Sequence, residues 1–153
     1  MSHLRFRTGL LAALLCVLIP VLPASAEMDL VVSDARVREA PPGATVLAGY
    51  LKITNRGTAH ATVSGVSAAD FSSVEIHRTV MENGVARMLS AGPLEIPAGE
   101  SFVLEPGGYH LMLFNPVRPL AAGDSVELLL HVKDGACLAV DAPVARMTLD
   151  QHP

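Results

Sequence analysis

The sequence predicts an all-β domain, a sandwich of short, mostly antiparallel strands, and three observations predict it. Short runs rich in Val, Ile, Leu, Thr and aromatic residues recur along the chain. Clusters of Gly, Pro, Asn and Asp separate them at roughly regular spacing, the punctuation of sandwiches and barrels. No stretch after residue 26 sustains the apolar period of a helix.

The elements follow in order. Residues 1–26 read as a cleaved secretory signal. Arg5 and Arg7 precede the apolar run Leu10 to Leu22, which only Pro20 interrupts, and Ala24-Ser25-Ala26 fits the small-residue cleavage rule. The run is too short to span a bilayer, although a retained anchor is the alternative to cleavage. Arg5-Phe6-Arg7 is not a twin-arginine pair, so the general secretory route is expected. Cys16 lacks the small preceding residue of a lipoprotein signal and falls in the discarded segment.

Residues 27–153 then form one domain, large enough to bury a core. Val31 to Val37 is the first expected strand, ended by Pro41-Pro42-Gly43. Val46 to Thr54 is the second, ended by a turn at Asn55-Arg56-Gly57. Ala61 to Val66 is the third. Val74 to Val80 and Val85 to Leu89 flank Glu82-Asn83-Gly84, and Asn-Gly is a strong hairpin signal. Short strands follow at Leu94 to Ile96 and Ser101 to Leu104. Gly108 to Phe114 is an aromatic and apolar strand between Pro106-Gly107 and Asn115-Pro116. After a proline-bearing loop to Gly123 come Ser125 to Val132, a turn at Lys133-Asp134-Gly135, Leu138 to Val140 and Val144 to Leu149.

Charge and cysteine content narrow the function. Without the signal, nine basic residues face fifteen acidic ones, a formal charge of −6. That balance excludes a nucleic-acid binder or a protein drawn to an anionic membrane surface. One cysteine, Cys137, remains, so the domain has no internal disulfide. Its setting, Ala136-Cys137-Leu138-Ala139-Val140, predicts a buried, unreactive thiol. There is no Gly-x-Ser-x-Gly elbow, Cys-x-x-Cys, phosphate loop or dinucleotide fingerprint, and the chain is read as a non-enzyme.

The segment from His77 to Met112 carries the chemistry. His77 and Met88 are separated by ten residues, Met88 and His110 by twenty-one, and His110 and Met112 by one. Side chains alternate across a strand, so His110 and Met112 share one face and Leu111 and Leu113 the other. Likewise His77 shares a face with Glu75 and Thr79, opposite Val74, Ile76 and Val80. The hairpin would return Met88 toward His77. Imidazole and thioether are neutral donors suited to monovalent copper, and poor matches for calcium, magnesium or manganese. A His or Met on a strand commonly serves as core or surface, so spacing alone leaves the metal and structural readings both open.

The pattern His77-x10-Met88-x21-His110-x-Met112 is similar to the copper-binding motif of periplasmic copper chaperones of the PCu(A)C type. Pro41-Pro42-Gly43-Ala44-Thr45, Gly49 to Asn55, Leu94 to Gly99 and Pro106 to Leu113 also resemble that family. One departure stands at Arg78, where many members carry a further Met. The resemblance implies a cupredoxin-like or immunoglobulin-like β-sandwich in the periplasm. It implies one Cu(I) per chain, held by His77, Met88, His110 and Met112. Delivery would be to the copper-centre assembly of a haem–copper (cytochrome c) oxidase, either an oxidase subunit or a thiol-bearing assembly factor.

Alternatives remain at this level. A blue-copper electron carrier needs a thiolate with two imidazoles and an axial Met. Here Cys137 is followed by Met147 and only then by His152, which is the wrong order. An adhesion or assembly module with an incidental His/Met set is the other alternative. Glu75 and Asp70 are read as solubilising acids, with a ligand role as the alternative. His60 is read as exposed, His131 as a satisfied edge residue and His152 as terminal. Met81 is expected to shield the site and Met147 to enter the core. A second, weak Cu(II) site from such residues is left open.

Overall fold

The computed structural model describes residues 29–146. Ten strands run in order: β1 (Leu30–Arg38), β2 (Val46–Asn55), β3 (Ala61–Ser67), β4 (Phe71–Glu82), β5 (Val85–Ser90), β6 (Leu94–Ile96), β7 (Ser101–Leu104), β8 (Tyr109–Pro116), β9 (Ser125–Val132) and β10 (Cys137–Ala145). The described residues include no helix. The expected signal segment, Met147 and His152 lie outside the described residues.

Strand order is β5-β4-β8-β2-β1-β10-β9-β3-β6, with β7 also on β2. All pairs are antiparallel except β1–β10, the short parallel seam joining the two halves. One half presents Leu47, Leu51, Ile53, Ile76, Leu111 and Leu113 inward. The other presents Val63, Val126, Leu128, Leu130 and Val144, and together they make one core. Burying these inner faces against each other is what stabilises two sheet halves that are each half-apolar.

Most expected strands appear where alternation placed them. The last two are an exception, since β10 is continuous through Pro143. Its pairing explains this. Cys137 to Pro143 lie against β9, and Val144 and Ala145 then switch to β1. Pro143 stands at the switch, where its missing N–H costs little. Cys137 is also corrected, because it is exposed. It points outward with Ala139 and Asp141, and small apolar residues at outward positions hide the alternation.

Close backbone approach occurs at Gly49, opposite Leu111 on the inner face. A Cβ there would lie 3.0 Å from Leu113 Cδ1 and 3.2 Å from Leu111 Cβ. A side chain at Gly49 would therefore press on the strand that carries His110 and Met112. At the end of β2, buried Asn55 gives its amide hydrogens to the carbonyls of Ala59 (2.8 Å) and Ile96 (3.0 Å). Its Oδ1 accepts the Gly57 N–H at 3.0 Å, so the predicted turn is pinned from within.

Glu39 closes the far end of the domain. Its carboxylate accepts the Ala122 N–H at 2.9 Å and Arg146 Nε–H at 2.8 Å. The Ala122 amide, then Arg146, hold it below its ordinary value of 4.5. A depressed folded value means the stabilisation is present above 4.5 and is lost as pH falls through the folded value. Glu39→Gln should therefore flatten the fall of melting temperature below pH 4.5. Melting curves across that range check it, and an unchanged acid limb would show that this clasp stabilises nothing.

Candidate metal centre

The β4–β5 turn is built by Asn83 (φ 52°) and Gly84 (φ 78°), both left-handed, as a two-residue hairpin of the favoured twist requires. It sets the register in which Thr79 faces Met88 and His77 faces Ser90. On its other edge β4 pairs with β8, where Glu75 faces Met112 and His77 faces His110. Partners in a ladder share a face, so β4, β5 and β8 place His77, Met88, His110 and Met112 on one outer surface. Met88 lies diagonally from His77. Leu111 and Leu113 are wholly buried on the opposite face, as alternation predicted.

Burial is graded across the four. His110 is 5% exposed. The His77 side chain is 13% exposed. Met112 is half-buried, and Met88, on the edge strand, is 61% exposed. The two imidazoles stand with ring centroids 6.2 Å apart at 42°.

Each ring uses one nitrogen on the protein. His77 Nε2 lies 2.8 Å from a Glu75 carboxylate oxygen. His110 Nδ1 lies 3.1 Å from the Gly108 carbonyl. The other two nitrogens, His77 Nδ1 and His110 Nε2, are buried and have no hydrogen-bond partner. A buried nitrogen with no partner costs about 1–3 kcal/mol. They belong to His77 and His110, which pair on one ladder rung, and neutral nitrogens left with lone pairs are donors suited to a Lewis acid. With thioethers on the same face, the donor set fits Cu(I) and does not fit zinc or the hard cations.

Tyr50 and Arg36 extend the same surface, since Arg36 faces Tyr50 on β1 and β2. Tyr50 is buried, and the Arg36 guanidinium lies 5.3 Å above its ring. Sequence reasoning missed this extension, because only the β1–β2–β8 order creates it. Met81 also lies on this face, toward the turn, and is largely exposed.

The other candidates do not converge here. Asp70 accepts from Arg118 at 3.4 Å. His60 is paired with Glu95, whose carboxyl is held below the usual range by His60 and then Thr62. His131 meets Ser67 Oγ at 2.8 Å and Cys137 Sγ at 3.4 Å, on the outer face of the other half. Among the described residues, no group of three or more His, Cys, Asp or Glu side chains comes together to hold a metal. A cavity of about 620 Å³ lies by Glu39, Leu47, Leu120 and Arg146, and none of the four lines it.

The family model described as "Putative lipoprotein LpqE-like" matches residues 30–144. The chain belongs to the LpqE-like family. The "Putative lipoprotein Lxx21020" of Leifsonia xyli subsp. xyli is 38% identical over 130 residues, covering 80% of this chain and 77% of that protein. The solution structure of CuI-DR1885 from Deinococcus radiodurans is 31% identical, with a TM-score of 0.62 over 80% of this chain and 82% of that one. The copper-bound PCuAC domain from PmoF2 has a TM-score of 0.64 at 21% identity, covering 77% of this chain and 93% of that domain. At that identity the likeness is one of fold. The likeness to the PCu(A)C type carried by the motif holds at the level of family and fold, and the expected β-sandwich is the fold these domains share.

Proposed function

We propose that this protein is an exported copper chaperone that binds one Cu(I) through His77, Met88, His110 and Met112. The observation that carries the reading is the pair of buried, unpartnered nitrogens on cross-strand His77 and His110, on the face that also bears both thioethers. The CuI-DR1885 relative supports the choice of ion. The Leifsonia xyli relative, described as a putative lipoprotein, supports export; in this proposal residues 1–26 are the signal and the periplasm is the destination. No helix among the described residues is long and apolar enough to cross a membrane.

The chemistry supports transfer rather than storage. Neutral donors hold Cu(I) without a thiolate that an oxidising compartment would attack. Met88 is the most exposed ligand and sits on the edge strand, so it is the donor an incoming thiolate would displace first. Soft thiolates favour Cu(I), which makes a thiol-bearing assembly factor or an oxidase copper site the fitting acceptor. An electron carrier of the blue-copper kind is disfavoured, because Cys137 sits on β10 beside His131, on the opposite outer face.

Loading the mature domain under reducing conditions should give one equivalent of Cu(I). Oxidation should give no intense blue charge-transfer band. A blue colour that vanishes on Cys137→Ser would overturn the chaperone reading, and so would the absence of stoichiometric binding.

A further inference from the structure

We propose that Glu75 is the positioning residue that makes His77 a donor through Nδ1, an inference that rests on the copper-binding reading. Glu75 and His77 are two residues apart on β4 and therefore share a face. The Glu75 carboxylate lies 2.8 Å from His77 Nε2. A carboxylate oxygen can only accept a hydrogen bond, so Nε2 carries the proton and Nδ1 keeps its lone pair. That Nδ1 is buried and meets no donor or acceptor of the protein.

His110 is fixed in the opposite sense. The Gly108 carbonyl takes the hydrogen on Nδ1 at 3.1 Å, which leaves the lone pair on buried Nε2. The two rings are thus held as opposite tautomers, each by an acceptor on its own strand or the turn beside it. Each keeps a different ring nitrogen without a protein partner. A backbone carbonyl cannot be lost by substitution, whereas Glu75 can. Glu75 is 49% exposed on its side chain, so its removal takes little from the core. It also faces Met112 in the ladder, which places this one side chain beside two of the proposed ligands. Metal-binding histidines commonly depend on an acceptor at their second nitrogen, and losing it costs about 10–100-fold in metal affinity.

The test compares the mature domain with Glu75→Ala and Glu75→Gln, in two measurements. The first needs no copper. Nitrogen–proton correlation spectra of the apo-protein should show a hydrogen-bonded, slowly exchanging His77 Nε2–H. Glu75→Ala should lose that signal, and Glu75→Gln should keep it because the amide oxygen still accepts. The second is a Cu(I) competition titration. Glu75→Ala should weaken binding about 10–100-fold, and Glu75→Gln should recover most of that loss. Apo melting temperatures should be alike in all three.

If the parent binds Cu(I) and Glu75→Ala changes neither the signal nor the affinity, the positioning role is overturned and the copper reading stands. If Glu75→Gln weakens binding as much as Glu75→Ala while keeping the Nε2–H signal, Glu75 acts on the ion through its charge or as a ligand, and the positioning role is again overturned. A parent that binds no Cu(I) overturns the copper reading, and the role with it.

Discussion

His110→Leu is expected to abolish the copper-induced rise in melting temperature without lowering the melting temperature of the apo-protein. The two halves of that expectation have separate causes. His110 is almost fully buried, and its Nε2 has no partner in the protein. An apolar side chain of similar size removes an unsatisfied polar atom, which costs about 1–3 kcal/mol while it stays buried. Against this, the bond to the Gly108 carbonyl is lost, worth about 0.5–1.5 kcal/mol. The balance leaves the apo-protein as stable as before or more so. For copper the loss is one-sided. A ligand that binds only the native state stabilises it by about 2.7 kcal/mol at a hundred times its dissociation constant, and without the second imidazole that shift should vanish. Thermal melts with and without Cu(I) read both effects. An apo-protein several degrees less stable, with its copper shift intact, would show that His110 is a structural histidine and that the metal centre is misplaced.

Leu111→Ala and Met112→Ala should give opposite results, although the residues are neighbours on β8. Leu111 is completely buried in the inner face, packed where Gly49 allows β2 to approach. Truncating it should destabilise the apo-protein by about 2–5 kcal/mol, from lost burial and the cavity left behind. The outer face is not touched, so Cu(I) should still raise the melting temperature. Met112 is half-buried on the outer face, opposite Glu75. Its truncation should cost the apo-protein less than about 1.5 kcal/mol, below the usual range for buried methionine. The copper-induced shift should shrink because a soft donor is gone. Chemical denaturation of the apo-proteins and melts of the copper-loaded ones separate the two changes. A Met112→Ala protein that unfolds while retaining its copper shift would reverse the assignment of faces.

The contrast shows which information is local. Alternation is a property of residues two apart, so the faces of β4 and β8 were legible in Val74 to Val80 and Gly108 to Phe114 before any fold was known. The hairpin was legible too, because Asn83-Gly84 admits the left-handed backbone that a two-residue turn needs. Where outward positions are filled by small apolar residues, as at Cys137 and Ala139, the pattern loses contrast and burial is misread. Where a proline sits at a change of partner, as at Pro143, a continuous strand looks like two.

By itself, then, the sequence determined the fold class, the hairpin, the inward and outward faces of β4 and β8, and a family resemblance whose motif names His77, Met88, His110 and Met112 as candidate donors. Tertiary structure alone decided that β8 lies between β4 and β2, and hence that His77 meets His110 on one rung. It alone decided that Glu75, read from the sequence as a solubilising acid, takes the second nitrogen of His77 and leaves the first buried and unpartnered. The reason is the reach of the interactions. Alternation and turn chemistry are set within a few residues, whereas ladder partners, register and burial of a lone pair depend on strands separated by tens of residues, which only packing brings together.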